Sequence, residues 1–143
     1  MTRHLLIRRF LLPMLEARFP GRGLRAGSPP DPFAVFPAIH EAVGNVSIWV
    51  DEDEVRVEIG TITHGHFSAR DPSADDDIAA REVTEAVAHF LVDLFADRIL
   101  LWKSSNGVSD GWRLAGRSPQ FRTMVADDST FLWSGPVPNP SRR

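Results

Sequence analysis

Apolar and polar residues alternate with period two in two neighbouring places. Val46, Ile48 and Val50 interleave with Ser47 and Trp49, and Val55, Val57 and Ile59 interleave with Arg56 and Glu58. That period belongs to strands with one buried face. Asp51-Glu52-Asp53-Glu54 lies between them. A hairpin closed there sets Val50 against Val55, Ile48 against Val57 and Val46 against Ile59, all on one face. Trp49 then meets Arg56 on the other face as a cation–π pair. The four turn acids read as a solvated turn. The second strand is expected to continue through Thr61 to Phe67, with Gly60 a candidate bulge.

A period near 3.6 takes over at residues 75–97. Ile78, Ala79, Val83, Ala86, Val87, Phe90, Leu91, Leu94 and Phe95 form an apolar stripe opposite Arg81, Glu82, Glu85, His89, Asp93 and Asp97. This predicts one long helix, capped by Ser73 or Asp75, with Asp75, Asp76 and Asp77 at its positive end. Glu85, His89 and Asp93 read as i,i+4 pairs on its wet side. Ile99-Leu100-Leu101-Trp102 predicts a central strand covered on both faces. Asn106-Gly107 and Asp110-Gly111 signal turns before a Trp112-Arg113-Leu114 strand. Met124-Val125 and Phe131-Leu132-Trp133 predict a last hairpin around Asp127-Asp128-Ser129. Upstream, Phe36 to Gly44 reads as a short helix, with Pro37 in its first turn, a half-buried His40, and Gly44 as its stop.

Breakers divide the chain. Pro20, Gly21, Gly23, Gly27, Pro29, Pro30 and Pro32 cluster as a linker, and Pro136, Pro138 and Pro140 punctuate the end. The expected organisation is a basic helical arm and linker over 1–32, a single α+β domain over 33–135, and a flexible tail over 136–143. In the domain, an antiparallel sheet of about four to six strands carries the long helix on one face. In the arm, the apolar positions of residues 5–19 spread around most of the helix wheel. That spread favours a helix docked on the body or on another subunit over one lying on a membrane surface. A transmembrane segment is not expected, since about 20 apolar residues in a row are needed.

Composition narrows the chemistry. The chain has 143 residues, 43% hydrophobic and 24% charged, and no cysteine. Disulfides, thiol nucleophiles and thiolate metal sites are excluded. The net charge of −3 conceals an asymmetry. Residues 1–30 hold six arginines and one acid, whereas residues 31–143 hold ten basic residues and eighteen acids. An acidic body gives no case for nucleic acid and favours a basic protein partner. No Gly-rich phosphate loop, Gly-x-Ser-x-Gly elbow or His-Glu-x-x-His pair occurs. A cytoplasmic location is the expectation.

One polar constellation stands out. His64 and His66 are two apart, so on a strand they share a face with Cβ atoms about 6–7 Å apart, within reach of one metal ion. A third ligand is needed, and Asp71 or Asp75–Asp77 are nearest in sequence. Three readings follow. The first is a non-catalytic protein-binding or self-assembling module, with Trp49 and Arg56 as interface residues. The second is a metal-binding protein or metal-dependent hydrolase using His64, His66 and Asp71, with a divalent metal as cofactor. The third is peripheral membrane association through residues 1–19.

Overall fold

A computed structural model of the chain describes residues 1–115 and 125–140. Two helices and two antiparallel sheets make an α+β fold. Helix α1 spans Arg3–Arg18 and helix α2 spans Asp76–Phe95. The first sheet runs in chain order through β1 (Arg25–Ala26), β2 (Ala34–Phe36), β3 (Val46–Asp51), β4 (Glu54–Ile59) and β5 (Thr63–Phe67). The second contains β6 (Ile99–Lys103), β7 (Asp110–Leu114), β8 (Ser129–Leu132) and β9 (Gly135–Val137), in the order β7-β6-β8-β9.

The β3–β4 hairpin has the register that alternation and turn require. Val46 faces Ile59, Ile48 faces Val57, Trp49 faces Arg56 and Val50 faces Val55. The inward residues Val46, Ile48, Val55, Val57 and Ile59 are fully buried, in one cluster with Val83, Val87, Leu91 and Leu94 of α2. The branched ribbon and the helical stripe therefore form the core. Asp75 caps α2, its Oδ1 accepting from the Asp77 amide at 2.9 Å. Ile78, assigned to the apolar stripe, instead points outward and is 62% exposed.

The basic arm is docked on its own body. Ile7, Leu11 and Leu15 are completely buried and belong to the main core. Four of the six arginines in residues 1–30 are engaged in cis. Arg3 donates to Asp76 Oδ1 (3.1 Å) and to the carbonyls of Pro72 (3.2 Å) and Ala74 (2.9 Å). Arg18 pairs with Glu85. Arg8 lies over Phe33 and Arg22 over Phe95. The linker contributes too, since β1 pairs with β2.

Four local expectations are corrected. Residues 36–44 are not a helix. Phe36 belongs to β2 and pairs with Val46, and the segment closes in a single turn where His40 O accepts from Val43 and Gly44. Nor does β4 run on through residue 67. Gly60 adopts φ +51°, and the chain folds back as β5, with Ile59 opposite Thr63. A Cβ on Gly60 would be driven into the Val43 carbonyl, so close approach and positive φ both require glycine there. Asp110-Gly111 is strand, not turn. The Trp102 ring occupies the space where a Gly111 Cβ would sit. The last hairpin turns at Trp133-Ser134, between β8 and β9, rather than at residues 127–129. Met124 lies outside the described residues.

Strand β6 is central in its sheet, and Ile99 to Trp102 are all buried. The two sheets meet where Thr63 Oγ1 donates to Asp110 Oδ1 at 2.6 Å. Trp112 of β7 stacks edge-on against Phe90 of α2, with ring centroids 4.7 Å apart. The outer edges of the two sheets, β1 and β9, are short, while the other two edges, β5 and β7, lie against each other. Strand β1 has two residues, and β9 has three with Pro136 in the middle. Neither edge offers a run of donors for strand addition.

Candidate functional site

Helices cover one face of the first sheet, so parity sends the remaining side chains of β3, β4 and β5 to its open face. One row runs across the sheet through Ser47, Glu58 and His64, and the next through Trp49, Arg56 and His66. Asp51 and Glu54 close the pattern at the turn.

Arg56 is the hub. Its guanidinium lies 5.1 Å above the Trp49 ring and donates to Asp51 Oδ2 (2.9 Å) and Glu58 Oε1 (2.7 Å). The Asp51 hydrogen bond raises its pKa above the ordinary arginine value, aided by the charges of Asp51, Glu58 and Glu54. Arg56 therefore stays cationic and holds two carboxylates in place over an aromatic plane. The Trp49 indole N–H is buried without a hydrogen-bond acceptor among the described residues.

His64 and His66 are both exposed and adjacent. Their rings stand edge-to-face at 84°, with centroids 4.9 Å apart. His66 Nδ1 lies 2.8 Å from Glu54 Oε1, so this nitrogen carries the proton and donates. The structure thus brings the two histidines together as strand parity requires, and adds Glu54, which the sequence reading assigned to the solvated turn. Its relevance becomes legible only once β5 folds back on β4, because that reversal sets residue 66 opposite residue 56.

Asp71 is elsewhere. Its carboxylate accepts from the Ser73 hydroxyl (2.6 Å) and amide (2.9 Å) in the loop before α2. Those two bonds, the hydroxyl first, hold its pKa below the usual aspartate value. Asp75 and Asp77 serve the first turn of α2, and Asp76 binds Arg3. Among the described residues, no group of three or more histidines and carboxylates is placed to hold a metal ion. On α2, Glu85 lies 3.7 Å from His89 Nε2 as an i,i+4 pair and also meets Arg18, whereas Asp93 pairs with Arg98 instead of His89. His40 accepts from the Ala42 amide through Nδ1 at 3.0 Å.

Beside the open face, Val50, Asp51, Glu52, Asp53, Glu54 and Ser68 line a shallow acidic concavity of about 690 Å³. The first helix adjoins it, with His4 Nδ1 3.0 Å from the Glu52 carbonyl. Among the described residues, no helix is long and apolar enough to cross a membrane. The apolar side of α1 that would meet a lipid surface is occupied by the protein core. Comparison with family models, with curated proteins and with solved structures returns no match to this chain.

Proposed function

We propose that this chain is a non-catalytic recognition module that engages a basic protein segment through the open face of its five-stranded sheet. The carrying observation is the half-buried Trp49–Arg56 pair at the middle of that face. Around it, Asp51, Glu54 and Glu58 set three carboxylates against one guanidinium. Large aromatic and guanidinium side chains anchor protein interfaces. An excess of fixed carboxylates steers and selects cationic partners. The blunted sheet edges support a face-on mode over strand addition.

The paired titratable groups of this face are open to solvent, with side chains 30–49% exposed, and His64 is exposed as well. Such openness suits binding better than acid–base chemistry, which gains its strength where water is excluded.

An NMR titration with decalysine, and with decaglutamate as counterpart, tests the reading. Decalysine should shift the amides of residues 47–58 and 64–66. Trp49→Ala should weaken the effect at least tenfold, and salt should weaken it through screening. Decaglutamate should leave these signals in place. Shifts confined to the Asp75–Asp77 helix end, or equal for both peptides, would refute the proposal.

A further inference from the structure

We infer that His64 and His66 form a two-imidazole chelate for a borderline divalent transition ion, copper(II) most tightly, on the outer face of β5. The spacing carries the argument. A metal–nitrogen bond of about 2.0–2.1 Å puts each imidazole centroid roughly 3.2 Å from the ion. Two such rings have centroids about 4.5 Å apart at a right angle and about 5.2 Å apart at the tetrahedral angle. The observed centroid separation of 4.9 Å lies between these limits, so the spacing of the two rings already suits one shared ion.

Glu54 supplies a second, independent feature. Its bond to His66 Nδ1 fixes the tautomer with the proton on Nδ1 and leaves Nε2 as the coordinating atom. Carboxylate–histidine pairs of this kind orient metal ligands and raise their basicity. His64 has no hydrogen-bond partner among the described residues, and Glu58 faces it across the ladder. Arg56 stands opposite His66, but its charge is met by Asp51 and Glu58, and Glu54 adds a third carboxylate. Water completes the coordination. Imidazole nitrogen suits copper, nickel and zinc, and copper(II) heads the divalent series. Asp71 has no part in this site.

The test is a substoichiometric copper(II) titration followed through the imidazole Hε1 resonances. The His4→Ala variant is used, so that a chelate of the chain's amino terminus with His4 does not compete. His64 and His66 signals should broaden first and together, with His40 and His89 retained. His64→Ala and His66→Ala should each lower copper affinity at least tenfold. Glu54→Gln, which leaves both imidazoles in place, should lower it about 10-fold or more. Amide dispersion in each variant verifies the fold. Broadening at His40 or His89 instead, or unchanged affinity in the His64→Ala variant, would overturn the inference.

Discussion

Replacing Leu11 by alanine tests whether the basic arm is an appendage or part of the core. Leu11 is 0% exposed and lies between Ile7 and Leu15 on the buried side of α1. Removing three carbons forfeits roughly 2.4 kcal/mol of burial at about 0.8 kcal/mol per methylene. The unfilled space raises the cost, and buried Leu→Ala changes span about 2.7–5 kcal/mol. Helix α1 is wedged between α2 and β3, so it has little room to settle into the gap. For a chain of this size the melting temperature should fall by roughly 10–15 °C. The urea midpoint should fall by more than about 1 M for a slope of about 2 kcal/mol per M. Leu5→Ala is the control. Leu5 is 51% exposed, so its loss should stay within about 0.5 kcal/mol. A Leu11→Ala protein that unfolds within 0.5 kcal/mol of the parent would show that α1 is dispensable to the core, and the cis-docked arrangement would fall with it.

Gly60→Ala should cost about 3 kcal/mol or more in urea unfolding, because left-handed strain of about 1–2 kcal/mol adds to the clash with Val43 O. Gly21→Ala, also at positive φ but in open space, should cost only the strain, and equal losses at the two sites would contradict the close approach. Arg3→Ala removes the donor to the exposed Pro72 and part-buried Ala74 carbonyls and should cost about 0.5–1.5 kcal/mol. Amide exchange should rise first in the 72–77 segment. The pKa of Asp71 is depressed in the folded chain, so its contribution is present above the unfolded value of about 3.9 and is lost as pH falls through the lower folded value. Ser73→Ala should therefore return the Asp71 carboxyl signal toward the ordinary midpoint in an NMR titration, and an unmoved midpoint would refute the cause assigned.

What could be read in advance was local. The 46–59 register needs only side-chain parity and a turn, both contained in fourteen consecutive residues, and α2 needs only its own stripe and cap. What escaped depends on distant partners. Phe36 is a strand residue because Val46 pairs with it, although its flanking Pro37 and Gly44 carry helix punctuation. Gly60 reverses the chain because the Val43–Gly44 backbone lies against it, a contact no window around residue 60 contains. Gly111 keeps strand geometry because Trp102 fills its missing side chain's place. The arm's wheel looked apolar nearly all round because α1 meets several surfaces, with Leu6, Phe10 and Met14 resting on the rim of the core that Ile7, Leu11 and Leu15 enter. At the candidate site, strand parity alone brought the two histidines to one face. Glu54 joined them only through the β4–β5 reversal.

The order of the two helices, α1 well before α2, also bears on how the protein is made. The three buried residues of α1 leave the ribosome some sixty residues ahead of α2, which must arrive before they are covered. At about 5–20 residues per second, that delay is roughly 3–12 s, far longer than a helix takes to form. Until α2 arrives, Ile7, Leu11 and Leu15 lack the helix that covers them in the folded chain. The pace of elongation between the two helices thus sets how long the apolar side of α1 waits for its cover.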